Sequence, residues 1–244
     1  MRTFFYFCTT NFLIEMKKNA VLIILFILPL VVYLFFATGV NSFIKLPIVT
    51  PKIEDINPNW KSLNGEKVTL DKKISILGFS GSNIMENRGN YFLLTQKIYE
   101  RNHTFKDFQV VFIAPDGTQE DVKIILDRLS KLSNTSGFHF VFASTEEIDA
   151  YFKQMKLLGN LDENHGTNLV YIIDKERNLR GRKGKSVQGK PEYKEGYNIN
   201  SSAELHNEMT DDVKIILAEY RLALKKNNRK DEFRDKITEQ IEKN

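Results

Sequence analysis

Ser82, Met85 and Glu86 stand within five positions of one another, and a fourth candidate group, His165, lies far downstream. A serine, a histidine and a carboxylate are the parts of an acyl-transfer site, in which the imidazole takes the hydroxyl proton. A methionine thioether and a histidine suggest a different chemistry, because sulfur and imidazole hold soft metal ions. Neither set is complete. Ser82-Asn83 is also a good helix-entry sequence, and Glu86 in a first helical turn would complement the helix dipole. One thioether and one imidazole make a thin metal site, and the Ser and Glu oxygens beside them are hard donors. The single cysteine, Cys8, precedes all of these residues. The rest of the chain can form no disulfide and no thiolate metal site, and it cannot exchange disulfides, which requires a thiolate.

The elements that must position these residues follow from periodicity. Asn64-Gly65 is a turn signal leading to a short strand at Lys67 to Leu70. Ile74 to Phe79 is an apolar run that ends at Ser80-Gly81-Ser82, a buried strand meeting a loop. Tyr91 to Arg101 has helical spacing. Phe108 to Ala114 reads as a strand, and Thr118 opens a helix with Val122, Ile125 and Leu129 on one face. Phe138 to Ala143 is a further strand, followed by a capping box, Ser144 with Glu147, for a helix to about Leu158. Strands at Leu169 to Ile173 and Leu179 to Arg182 come next, and Thr210 caps a last helix carrying Val213, Ile216 and Leu217. The order β-β-α-β-α-β-α-β-β-α implies parallel pairs with helical crossovers and an antiparallel closing step. The expected fold class is α/β, with a mixed central sheet flanked by helices.

That order is the thioredoxin-like one, and two phrases sharpen the likeness. Leu77-Gly78-Phe79-Ser80-Gly81-Ser82 resembles the strand-to-loop entry of the Sco/SenC proteins, membrane-anchored thioredoxin-like copper chaperones for cytochrome oxidase assembly. Asp162-Glu163-Asn164-His165-Gly166 before the strand Leu169 to Ile173 and Asp174 resembles that family's histidine and the strand after it. The resemblance implies that Ser82 and Glu86 occupy the positions of the family's two cysteines, with Asn83 in place of a proline. Of the three copper ligands it implies, only His165 remains, so the low-grade vestigial set is Ser82, Met85, Glu86 and His165. The resemblance further implies a respiratory-complex or other envelope protein as partner.

A membrane anchor is the strongest compartment signal. Ala20 to Thr38 is an uncharged apolar run, and no charge occurs from Asn19 through Ile44. Its Leu, Ile, Val and Phe residues supply about −4 to −8 kcal/mol toward insertion. Lys17 and Lys18 directly before it set the N-terminus in the cytoplasm and the body of the protein outside, in the periplasm. The expected organisation is a cytoplasmic N-terminus at 1–19, a transmembrane anchor at 20–38, an extended spacer at 39–63, a thioredoxin-like domain at 64–227 and a charged tail at 228–244. Within the first segment, residues 1–15 read as a start-site artefact, with Met16 as initiator. The net charge of +4 is spread out, and no basic block interleaved with aromatics calls for nucleic acid. No dinucleotide or Walker phrase occurs. The expected function is a non-enzymatic, membrane-tethered binding or assembly factor of the Sco/SenC type, without a cofactor. Two alternatives stay open: a copper-binding oxidase assembly protein with an altered site, and a structural envelope protein with no ligand.

Overall fold

The computed structural model describes residues 23–34, 45–186 and 188–223. The chain forms two units, Met1–Phe43 and Ile44–Asn244. In the first, residues 23–34 form a helix, α1, whose apolar side chains are exposed. The remainder of the expected span 20–38, residues 1–19 and the tail 228–244 lie outside the described residues. Among the described residues no helix is long and apolar enough to cross a membrane.

The second unit is built on strands β3 (Ile74–Ser80), β4 (Phe108–Pro115), β5 (Phe138–Ala143) and β6 (Gly166–Ile173). β3 and β4 are buried at every position. They read as continuous apolar runs because helices and loops cover both faces of the sheet. β3 pairs in parallel with β4, and β4 with β5. β6 runs antiparallel beside β3 and pairs with β7 (Leu179–Arg180). Two strands from the N-terminal stretch finish the sheet, β1 (Ile48–Thr50) against β7 and β2 (Lys61–Ser62) against β5. The order is β1-β7-β6-β3-β4-β5-β2, with β10 (Tyr197–Asn198) also pairing with β6. The core order β7-β6-β3-β4, two parallel strands flanked by the antiparallel pair, is a thioredoxin-like arrangement.

Side chains alternate between two core layers, as the strand period requires. Ile74, Ile76, Val110, Phe112, Phe138 and Phe140 face one layer. Leu77, Phe79, Val111, Ile113, Val141 and Tyr171 face the other. The first layer is covered by α2 (Arg88–Leu94), by a π-helical stretch Thr95–Tyr99 that runs on into the short α3 (Glu100–Asn102), which buries nothing, and by α4 (Gln119–Ser130). It is also covered by the terminal helix, which comprises α6 (Ser202–Glu204), a π-helical stretch Leu205–Met209 and α7 (210–223). The second layer is covered by α5 (Thr145–Gln154), whose Ser144–Glu147 capping box forms as the sequence predicts.

Four local expectations change. Lys67 to Leu70 is not a strand, because Asp55 takes its backbone and side-chain donors: Leu70 N reaches Asp55 Oδ1 at 2.6 Å and Thr69 Oγ1 donates to Oδ2 at 2.5 Å. The last helix does not begin at Thr210. It begins at Ser202, capped by the Ser201 hydroxyl, which accepts from Glu204 N at 3.2 Å; Thr210 lies inside it and donates to Leu205 O. The strand expected through Arg182 stops at Arg180. A Cβ on Gly181 would sit 2.2 Å from the Lys194 carbonyl oxygen, and beyond it a separate ribbon forms from β8 (Arg182–Lys185) and β9 (Pro191–Lys194). Finally, residues 45–63, read as spacer, bury Leu46, Ile53, Ile56 and Trp60 in the body of the protein.

Candidate functional site

β3 and β6 are antiparallel neighbours, so the loop leaving β3 and the loop entering β6 emerge at one end of the sheet, with Ser80 opposite Gly166. Two glycines let these loops touch. Gly81 has φ +65, and a Cβ on Gly166 would lie 2.9 Å from Gly81 Cα. Ser82 N then donates to Asn164 O at 3.0 Å. Ser82 is thereby set beside the residue that precedes His165.

The side chains diverge from there. Ser82 and Glu86 are exposed. Met85 is partly buried and packs against the first core layer. The His165 ring is held from the opposite layer, where Nδ1 pairs with Asp149 Oδ1 of α5 at 2.8 Å, both side chains about one-third exposed. Among the described residues no hydrogen bond or ion pair joins Ser82, Met85 or Glu86 side chains to His165, and no group of three His, Cys, Asp or Glu residues is placed to hold a metal ion. Glu86 does not sit in a first helical turn, because α2 starts only at Arg88. A turn closed by Asn87 N on Asn83 O at 3.3 Å comes first, so Ser82 does not stand at a helix N-terminus.

His165 occupies a shaped loop. Asp162 Oδ1 accepts from both Asn164 N and Gly166 N, and the tight turn leaves His165 at φ +58. Histidine tolerates this left-handed region better than most side chains. The start of α5 adds negative charge nearby. The Glu146 carboxyl is held below its ordinary range, first by its own backbone N–H, then by the Ser144 and Thr145 hydroxyls, with a smaller contribution from His165. Behind the loop, burial pushes the Tyr91 phenol up to about 12. That phenol stays protonated and offers no base.

Asp149 is the partner of His165 that sequence reasoning missed. It lies sixteen positions from His165, and in a helix rich in acids near its start nothing marks it out. The arrangement is a histidine oriented by a carboxylate, next to a backbone-locked loop with exposed polar groups. It can accept or donate hydrogen bonds, and among the described residues no histidine is bonded to the Ser82 hydroxyl. A separate depression of about 580 Å³ lies between residues 54–60 and α5, lined by Asp55, Trp60, Tyr151 and Gln154.

No protein-family model matches the sequence, and no curated protein matches it. Solved structures do resemble the fold. BsSco, a member of the Sco family of cytochrome c oxidase assembly proteins, is 13% identical over 70% of this chain and 95% of its own, with a TM-score of 0.48. Copper-bound ScoI of Arabidopsis thaliana is 17% identical over 67% of this chain and 98% of its own, TM-score 0.42. A thioredoxin-family thiol:disulfide interchange protein of Chlorobium tepidum is 16% identical over 71% and 99%, TM-score 0.43. These likenesses concern overall shape.

Proposed function

We propose that this chain is a membrane-tethered, extracytoplasmic thioredoxin-like domain that acts as a non-catalytic binding or assembly factor, docking an envelope or respiratory-complex protein through the face around Ser82 and His165. The uncharged run 20–38 and the flanking Lys17 and Lys18 support the tether and its orientation. The observation that carries the reading is the mismatch at the end of β3. Two glycines and the Ser82–Asn164 bond keep the β3 and β6 loops in contact, yet no thiol exists there to react. Copper, which the resemblance implies, does not fit these residues. Ser and Glu oxygens are hard donors and Met85 is turned into the core layer, so of the four residues only the His165 imidazole remains as a ligand suited to copper.

Affinity capture from detergent-solubilised membranes with the full chain as bait tests this. A defined membrane protein should be recovered, and its yield should fall at least severalfold with His165→Ala and Ser82→Arg together. Recovery that is indifferent to both changes would remove this face from the function. Titration with Cu(I) under chelator competition should show no submicromolar site; tight binding abolished by His165→Ala would favour the copper alternative instead.

A further inference from the structure

The ribbon β8–β9 has two faces of different character. Its register pairs Lys183 with Tyr193 and Lys185 with Pro191 on one face, and Arg182 with Lys194 and Gly184 with Glu192 on the other. The second face is docked onto the protein. Arg182 binds Asp212 at 2.9 Å and Glu192 at 3.0 Å, and Lys194 binds Glu204 at 2.9 Å. Every residue of the first face is exposed, with Tyr193 at 45%. Lys183 and Lys185, and Lys190 at the turn, make no ion pair among the described residues; the acid on that side, Glu195, is buried and accepts from the Tyr193 hydroxyl at 3.1 Å and from the amides of Leu158 and Gly159. The nearby acids are already engaged: Glu192 and Asp212 with Arg182, and Asp211 with Lys214.

The ribbon also stands where the tether enters. Lys45, Leu46 and Pro47 line one depression together with Lys183 and Lys185, and Gly181 N donates to Pro47 O at 3.0 Å. From Thr38, the last residue of the expected span, to Lys45 is a tether of at most about 25 Å when fully extended. Lysines attract anionic headgroups within about a Debye length, and tyrosine favours the headgroup level of a bilayer.

We propose that the Lys183–Lys185–Tyr193 face of the β8–β9 ribbon, with Lys190, rests on anionic lipid headgroups of the membrane that holds the anchor, fixing which way the domain faces. This rests on the tethered reading above. It predicts a domain held in one orientation, with the ribbon down.

The test uses the full chain with Cys8→Ser and a fluorophore on Gln188→Cys, placed in lipid nanodiscs containing headgroup spin-labelled lipid. Quenching should be strong when the discs contain phosphatidylglycerol. It should fall in phosphatidylcholine discs or raised salt. Lys183→Gln with Lys185→Gln should weaken the contact by roughly 25-fold; both side chains are exposed, so the circular dichroism spectrum should not change. Weak quenching that is the same in all these conditions would overturn the proposal. Alkaline carbonate extraction of membranes carrying the same chain separates the two readings. A chain retained in the membrane with an unquenched probe removes the ribbon contact alone, whereas a chain stripped from the membrane removes the anchor and the ribbon contact with it.

Discussion

His139 sits on β5 and points away from its neighbours Phe138 and Phe140, which belong to the first core layer. Burial holds its imidazole below the ordinary 6.5, with Glu66 pulling the other way and Lys73 adding to the depression. A histidine with a lowered folded pKa binds its proton more readily in the unfolded chain. Its contribution to stability is therefore complete above 6.5, is lost as the pH falls through the folded value, and then levels off. The urea midpoint of the protein should drop between about pH 7.5 and about pH 5.5, and His139→Gln should make that drop shallower. An unchanged slope would mean that His139 is as readily protonated in the folded protein as in the unfolded one. His165 differs in having a carboxylate partner, Asp149, and that bond fixes the ring where the β6 loop can present it.

The contact of the β3 and β6 loops depends on the absence of two Cβ atoms. Gly166→Val would drive a side chain against Gly81 Cα, which cannot rotate away. The change should cost about 1–3 kcal/mol of stability. It should also speed hydrogen exchange at the Ser82 amide, because the Asn164 bond cannot form across a widened gap; unaltered exchange would show that the loops can separate without losing that bond. Elements of this kind differ in how plainly they are written in the chain. Ile74 to Phe79, Phe108 to Ala114 and Phe138 to Ala143 announce themselves as uninterrupted apolar runs, and the Ser144–Glu147 box marks the start of α5 locally. Lys61–Ser62 and Ile48–Thr50 carry no periodicity, and they become strands only because a sheet edge lies beside them. The break at Gly181 depends on a carbonyl thirteen residues away, and the Asp149–His165 pair depends on how α5 is laid across the sheet. Local chemistry shows the central strands and the loop that ends in Ser82, whereas the partner of His165 exists only in three dimensions.

One buried cation ties the body of the protein together. Arg180 is 4% exposed, and its guanidinium donates to Leu46 O, Asp174 Oδ2 and Glu219 Oε2, each at 2.8 Å. It thereby joins the N-terminal stretch, the sheet and α7. Asp174 is fully buried and also accepts from the amides of Glu176 and Asn178. Arg180→Met would leave that carboxylate unpaired, and about 3–5 kcal/mol of stability should be lost. A loss below about 1 kcal/mol in denaturant melts would show that the turn amides suffice for Asp174. The stretch that Arg180 grips begins at Leu46, pairs with one edge of the sheet through β1, crosses the second core layer with Ile53, Ile56 and Trp60, and pairs with the other edge through β2. Tension applied along the chain at residue 45 therefore arrives at a short antiparallel zipper, where bonds yield one after another, and not at the long central strands. The outermost strand can peel like a tab while the interior keeps its shape, which makes this end of the molecule a mechanical fuse.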